Sequence, residues 1–158
     1  MSFKATLKIE GKEYRILNCH YAFHQPYATG GHPIGRVEAG LINLEIESTG
    51  DLLIAQWSLS PSAKKSGSIQ FHQSASFEQR MKELIFTDAY LVDYAESFSN
   101  HGDSPMTERI TLTAQAIKLS SGMGVAEKLN ILTNGEFNFT ESFLIFNFNN
   151  HRLWQPMY

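Results

Sequence analysis

The residues of this chain most able to do chemistry are its six histidines and its single cysteine. His20 and His24 fall on the same face of a segment that alternates like a strand, about 13 Å apart at about 3.3 Å per residue. Ligands of one metal ion lie about 2 Å from it, so this pair does not chelate one ion. A mixed site of His24 and His32, or a hydrolase using either of them, is the alternative to solvated histidines.

The other reactive side chains also fit structural roles better than catalytic ones. Cys19 and His20 are neighbours on a strand and point to opposite faces, so Cys19 is interpreted as a small core residue. No Gly-x-Ser-x-Gly elbow, phosphate-binding loop or dinucleotide fingerprint is present. The carboxylates that could pair for acid–base work fit a wet strand face or a bulge, and they are Asp88 with Asp93 and Glu45 with Glu47. The sequence predicts no enzyme, no catalytic residue, no metal and no cofactor.

Composition disfavours nucleic acid and membrane as partners. The 158 residues include 13 Lys plus Arg against 16 Asp plus Glu, a net charge of −3, and the basic residues do not cluster. The aromatic residues within 137–148 have no interleaved Lys or Arg, which nucleic-acid stacking would need. No apolar run approaches the roughly 20 residues that span a bilayer, and the first residues alternate at once, unlike a secretory signal. We expect synthesis in the cytoplasm and no membrane insertion.

The elements that must position these residues are mostly strands, because apolar and polar residues alternate with a period of two. The second strand is predicted to bury Leu17 and Cys19, and a later one to bury Tyr90 and Val92. The predicted strands cover residues 3–9, 17–23, 42–46, 53–59, 69–71, 84–94 and 110–116. Such short strands predict an all-β fold, a β-sandwich or partly closed barrel.

One helix, one loop and an unusual tail complete this prediction. The capping-box pattern at 76–79, ahead of apolar residues at helical spacing, predicts a short helix over 75–83. Two prolines and three glycines predict a long exposed loop over 25–35. After Leu119 the chain becomes rich in aromatic residues, and a terminal hairpin turning near residues 134–135 or 140–141 is one interpretation.

The order of several segments resembles a known family. Residues 2–25 resemble the first hairpin of Hcp (TssD) proteins, the tube proteins of type VI secretion, in their Bacteroidales-type branch. Residues 40–49, 81–98 and 105–117 are similar to later segments of the family in the same order, so the resemblance covers about 2–119. It implies a two-sheet β-barrel or sandwich with one short flanking helix, six copies of which form a ring.

The resemblance also implies partners and a location. Rings stack into a hollow tube that a contractile sheath expels with a spike at its tip, and some tubes carry effector cargo in the lumen. Such a protein is cytoplasmic when assembled and is exported by the apparatus without a signal peptide. The alternative function is a small-molecule-binding β-barrel, which the abundant inward aromatic residues would suit.

Two segments are candidates for contacts between subunits. The loop over 25–35 corresponds to the extended loop with which the family contacts a neighbouring ring or subunit, and an unpartnered surface loop is the alternative. The branch usually has an Asp and a Gly-Arg-Pro there, where this chain has Tyr27 and Gly31-His32-Pro33, so the stacking contacts are expected to differ. The candidate contact residues are Tyr27, Ala28, Thr29, Gly30, Gly31, His32 and Pro33.

The family commonly stops soon after the strand at 110–117, so we divide the chain into a barrel domain, 1–119, and a C-terminal extension, 120–158. The extension is expected to add strands to the same domain, to dock on a neighbouring subunit, or to hold a partner. An exposed aromatic segment with few charges would favour aggregation, which argues for a covering surface. The residues expected to dock are Phe143, Phe146, Phe148 and Trp154.

Overall fold

Eight strands and one short helix make up the part of the chain that the structure describes. This structure is a computed structural model, and it describes residues 2–35, 37–75, 77–101, 106–121 and 128–132. The elements are β1 Ser2–Ile9, β2 Lys12–Tyr21, β3 Leu41–Glu47, α1 Leu53–Ser58, β4 Lys65–Ala75, β5 Phe77–Phe98, β6 Met106–Thr113, β7 Ala116–Ser121 and β8 Lys128–Leu132. The prediction of an all-β barrel with one short helix is confirmed.

Six of these strands close into a barrel. Its order is β4-β1-β2-β3-β6-β5, and antiparallel pairing of β5 with β4 completes the circle. β5 has 22 residues, which is long enough to pair with β4 along one side and with β6 and then β7 along the other. β8 pairs with β7 and ends the sheet among the strands described. Closure therefore removes most of the open strand edges through which sheets associate.

The barrel interior is filled by apolar side chains. Ile54 and Trp57 of α1 belong to the same buried cluster, and the Trp57 indole Nε1 donates a hydrogen bond to the Ala63 carbonyl at 3.0 Å. The helix follows β3 at the end of the barrel that also holds the β1–β2 turn, which we call the lower end. The buried strand residues include Leu7, Ile9, Tyr14, Ile16, Ile42, Leu44, Ile46, Ile69, Leu84, Phe86, Ile110 and Leu112.

The prediction of a strand over 53–59 is wrong, because Leu53–Ser58 form α1. A short apolar run fits both periods, and here the residues three apart, Ile54 and Trp57, are the buried ones while Leu59 is exposed. The Asp51 carboxylate accepts a hydrogen bond from the Leu53 backbone N–H at 2.7 Å, which satisfies a donor at the helix start. This acidic residue before the apolar run was the sequence signal for a helix.

The helix predicted over 75–83 is also wrong, because these residues belong to β4 and β5. Ala75 pairs with Phe77, and the ladder continues to the pair Gln70 with Glu83 and beyond. Ser76, the first residue of the capping-box pattern, lies outside the described residues. The ladder satisfies the backbone groups over a much longer stretch than one capping pattern could, and Leu84 of β5 is fully buried at the period of a strand.

A bulge in β2 changes which of its residues face the core. The register with β3 shifts between Ile16 and Asn18, so Leu17 is exposed rather than buried as predicted. Tyr14 and Ile16 are buried instead, while Cys19 is half-buried against the core. One extra residue moves every later side chain to the other face, which the alternating pattern alone does not reveal.

A second irregularity in β5 has the same effect. Asp88 has a positive φ of 49°, and the predicted buried residues Tyr90 and Val92 are exposed. Ala89 and Leu91 take the inward positions. Asp88 was interpreted as part of a wet strand face or a bulge, and it lies within β5, whose buried face beyond it is the opposite of the predicted one.

Part of the C-terminal extension extends the sheet. β7 crosses the expected boundary at residue 119, and β8 pairs with it from Ala116–Leu132 to Ser120–Lys128. The hairpin predicted near 134–135 or 140–141, and the docking residues Phe143, Phe146, Phe148 and Trp154, lie outside the described residues. In the described part, no helix combines the length and the apolar character needed to cross a membrane.

Candidate assembly surfaces

The histidines and the cysteine do not form a reactive set. Cys19 is half-buried, and burial raises the pKa of its thiol to about 11, which keeps it protonated and unreactive. Its neighbour His20 is exposed, and His24 and His32 are exposed in the loop that follows. Within the described ranges, no group of three or more His, Cys, Asp or Glu residues is placed to hold a metal ion.

The predicted loop is part of a segment between β2 and β3, described over residues 22–35 and 37–40, which we call the arm. His24 and Glu38 exchange two backbone hydrogen bonds, of 2.9 and 2.7 Å, at its base. Nearer the tip, the Ala28 N–H donates to the His32 carbonyl at 2.9 Å, and Tyr27 and Pro33 form a second bridge. The prolines and glycines of this segment disfavour a continuous pair of strands, and its described residues form only these isolated β-bridges.

The arm presents apolar side chains to solvent. Tyr27 is 70% exposed, and Ile34 is also exposed. Its tip reverses at Gly30 and Gly31, where Gly31 has a φ of +81° and the Gly31 N–H donates to the Ala28 carbonyl at 2.8 Å. The arm therefore brings all seven candidate contact residues, 27–33, together at one projecting tip.

A second apolar surface lies on the outer wall of the barrel. Leu41 of β3 and Tyr90 of β5 both pair with Thr113 of β6, so they flank one strand, and Val92 follows on β5. Leu41, Tyr90 and Val92 are exposed, and we call them the outer patch. The Lys64 ammonium lies 5.2 Å from the centre of the Tyr90 ring, a cation–π contact at the border of the patch.

The lower end of the barrel carries a polar layer. The buried Tyr14 hydroxyl donates to the Asp51 carboxylate at 3.2 Å, and Lys12 forms an ion pair with the same carboxylate at 2.5 Å. Burial first and Asp51 second raise the pKa of Tyr14 far above its usual range, so it is a permanent donor. Hydrogen bonding from Lys12 lowers the pKa of Asp51, which stays ionised. This layer ties the β1–β2 turn to the start of α1.

The space inside the barrel does not suit a small ligand. The buried apolar cluster occupies the interior, and two hollows of about 480 and 330 Å³ open to the surface. The larger is lined by residues around Gly67 and Glu83, and the smaller by Lys64 and Tyr90. The small-molecule-binding alternative therefore has no support in the described residues.

Solved structures with the same fold define the class of this protein. Hcp1 from Salmonella typhimurium matches with a TM-score of 0.71 at 13% identity, covering 87% of this chain and 100% of that chain. A type six secretion system protein matches with a TM-score of 0.74 at 8% identity over the same shares. At these identities the likeness is one of fold, and the class that it defines is the Hcp-like β-barrel.

The chain belongs to the family of hemolysin coregulated protein Hcp (TssD), whose family model matches residues 1–128. Hcp1 from Flavobacterium johnsoniae is 34% identical, with a TM-score of 0.69, and the match covers 75% of this chain and 96% of that chain. A comparison with curated protein sequences gives no significant match. The resemblance inferred from the order of segments is confirmed, and the chain is a subunit of the type VI secretion tube. Its family consists of secreted structural tube proteins that form homo-oligomeric rings.

Proposed function

We propose that the chain forms hexameric rings that stack into the inner tube, with a contractile sheath around it, a spike at its tip and effector cargo in its lumen. The type VI apparatus exports the chain, whose role is structural rather than catalytic. The family membership of residues 1–128 is the observation that carries this proposal. The filled barrel interior and the absence of a metal-binding cluster among the described residues agree with a structural role.

Rings need surfaces that hold identical subunits together, and the arm is our candidate. Barrel closure leaves few open backbone edges, so contacts between subunits have to use side chains and projecting segments. The arm tip projects Tyr27 from an ordered backbone. Exposed tyrosines are frequent anchors of protein interfaces, because they bury a large rigid ring and keep a polar hydroxyl. We assign residues 27–33 to the contact with a neighbouring subunit or ring.

Replacing Tyr27 by serine is expected to weaken ring formation or ring stacking. Loss of a tyrosine anchor costs about 1–2 kcal/mol, so the protein concentration needed for assembly should rise about tenfold. Sedimentation velocity over a concentration series, with negative-stain microscopy of the same samples, measures ring formation and stacking together. The backbone rung between Tyr27 and Pro33 does not depend on the side chain, so the arm should keep its shape.

The matched control is Leu59→Ser, which removes an exposed apolar side chain from the lower end, opposite the arm. It should assemble like the wild type, and both variants should melt at the wild-type temperature. Rings and stacks of Tyr27→Ser at wild-type concentrations would show that the arm tip makes no contact in the tube.

The C-terminal extension is proposed to be an accessory to the barrel domain, 1–119, with its aromatic residues docked on the outer patch of the same or a neighbouring subunit. The closed barrel is complete without β8, which pairs only with β7 among the described strands. The Flavobacterium johnsoniae relative is matched over 96% of its length by 75% of this chain. β8 ends at Leu132, which pairs with Ala116. Two residues before Ala116, the Ala114 backbone N–H donates a hydrogen bond to the Gly40 carbonyl, and Gly40 precedes the patch residue Leu41. The extension therefore leaves β8 near the outer patch.

A chain that ends after Leu132 is expected to fold and form rings, with a melting temperature within a few degrees of the full chain. It should also bind more of an apolar fluorescent dye, because the outer patch loses the residues Phe143, Phe146, Phe148 and Trp154 that we propose to cover it. Circular dichroism, dye fluorescence and negative-stain microscopy measure the three quantities.

Two substitutions in the shortened chain test which surface binds the additional dye. Val92→Glu lies in the outer patch and should abolish the additional binding, whereas Leu52→Glu, an exposed apolar position at the lower end, should leave it unchanged. An insoluble shortened chain would make the extension part of the core, and unchanged dye binding would remove the outer patch as its docking surface.

A further inference from the structure

Two glutamates meet at the lower end of the barrel. Glu96 of β5 and Glu108 of β6 are direct cross-strand partners, and Glu108 is only 3% exposed. Ser48, the residue after β3, lies between them, with its Oγ 2.8 Å from Glu96 Oε1 and 2.9 Å from Glu108 Oε1. Two negative charges directly opposite each other in a sheet repel, so this pair needs a compensating positive charge or a proton.

The hydrogen count of the cluster favours a proton. The Ser48 hydroxyl has one hydrogen and can donate to one carboxylate at a time, so the second short contact needs a hydrogen on the carboxyl group. Glu108 Oε2 is buried and has no hydrogen-bond partner among the described residues. An ionised oxygen left without a donor is costly, whereas a protonated carboxyl group lowers that cost.

The charged and titratable groups around Glu108 also favour its protonated form. From β5 it faces Glu96 and the phenol of Tyr94, from β2 the phenol of Tyr14, and from the loop before α1 the carboxylate of Asp51. Lys12, a cation of the same polar layer, already pairs with Asp51. Burial raises the pKa of Glu108, the bond from Ser48 lowers it, and the charges of Glu96 and Asp51 raise it again, with a net rise.

We propose that Glu96 and Glu108 hold one proton between them, bridged by the Ser48 hydroxyl, and that this shared proton latches the end of β3 to the β5–β6 hairpin. The Ser48 backbone N–H also donates to the Met106 carbonyl at 3.0 Å, so the same two segments already touch through their backbones. Loss of the proton leaves two carboxylates competing for one hydroxyl and pushes the hairpin away from β3. The lower end of the subunit is thus a pH-sensitive joint.

The direction of the pH effect follows from the raised pKa of Glu108. Its contribution to stability is fully present below the pKa that a glutamate has in the unfolded chain, about 4.3, and is lost as pH rises through the higher pKa in the fold. Asp51, whose pKa is lowered, acts in the opposite direction, so total stability alone does not isolate the latch. A comparison of variants does.

Glu108→Gln keeps the shape of a protonated carboxyl group and removes the titration. The full-length variant should melt a few degrees above the wild type at about pH 8, and the difference should vanish towards about pH 4. Glu96→Gln should reduce the same slope, because it removes the opposing charge. Glu13→Gln, an exposed glutamate paired with Lys8, is the control and should keep the wild-type slope.

Infrared spectroscopy tests the proton directly and does not depend on the stability of a variant. The wild type should show the carbonyl band of a protonated carboxyl group at a pH above the usual glutamate range, and Glu108→Gln should lack it. Absence of that band in the wild type, or identical pH slopes of melting for the wild type and both latch variants, would overturn the proposal. So would a divalent cation that raises the melting temperature of the wild type at about pH 8 but not that of Glu108→Gln, since an ion would then take the proton's place.

Discussion

Replacing Trp57 by alanine is expected to lower the free energy of unfolding by about 3–5 kcal/mol. The indole is 1% exposed, packs with Ile54 into the barrel core and donates a hydrogen bond to the Ala63 carbonyl at 3.0 Å. Alanine removes these contacts and leaves a cavity that the closed barrel cannot collapse around, because its strands are fixed by pairing on both sides. Urea unfolding followed by far-ultraviolet circular dichroism measures the change.

The loss should be graded with the size of the substituent. Trp57→Phe keeps an aromatic ring but loses the bond to Ala63, so it should be less destabilising than alanine. Leu59→Ala, which truncates a side chain that is 84% exposed just after the same helix, should change the free energy by less than about 0.5 kcal/mol. A Trp57→Ala protein within about 1 kcal/mol of the wild type would mean that α1 does not seal the barrel.

Replacing Gly67 by alanine is expected to destabilise the barrel by about 3 kcal/mol, although it adds one methyl group. A Cβ at this position would lie 2.5 Å from the Lys8 carbonyl oxygen, 2.8 Å from Phe86 Cζ and 3.0 Å from Ile9 Cγ1. The first of these atoms belongs to the backbone of β1, which pairs with β4 through Ile9 and Gly67. Relief of the clash would therefore require separation of paired strands at a junction that also includes β5.

Gly50→Ala is the matched control, because a Cβ there meets nothing within 4 Å. It should be neutral or slightly stabilising, since alanine restricts the unfolded chain more than glycine does. Thermal unfolding of both variants compares them directly, and a loss of about 3 kcal/mol corresponds to roughly 6–12 °C for a chain of this size. Equal melting temperatures for Gly67→Ala and the wild type would mean that β1, β4 and β5 approach one another less closely at this point.

The sequence was informative where a single local pattern decides the structure. Strict alternation predicted β1 and β3, with Leu7 and Ile42 buried, because a half-buried strand imposes a period of two. The order of matching segments predicted the family, since several weak similarities in one order are together specific. The loop over 25–35 was predicted from its prolines and glycines, but the backbone bridges of the arm join residues six positions apart, Tyr27 with Pro33, and fourteen positions apart, His24 with Glu38.

The sequence was misleading where tertiary contacts choose between two local options. Leu53 to Leu59 fits both a strand and a short helix, and burial of Ile54 with Trp57 at the barrel end selects the helix. The capping-box pattern at 76–79 is outweighed by pairing of β5 with β4. Bulges at Leu17 and near Asp88 reverse the buried face without any change in hydrophobic pattern, so Tyr90 and Val92 could not be recognised as an outer patch.

Prediction of the candidate sites from the sequence was limited in the same way. Glu108 continues the inward parity of Ile110 and Leu112 on β6, but only the closed barrel shows that its partner across the sheet is another glutamate. The seven arm residues were named from the resemblance alone, and the structure adds the geometry that places them at one tip. Proximity between residues 48, 96 and 108 cannot be read from spacing along the chain.

The rungs of the arm have a consequence for how subunits meet. A segment that becomes ordered only on contact loses backbone freedom worth about 1–2 kcal/mol per residue, and this loss is subtracted from the affinity. In the arm, the bridges from His24 to Glu38 and from Tyr27 to Pro33 impose that order while the monomer folds. Subunits would then associate with a preorganised arm, and less of the binding free energy would be lost to ordering it.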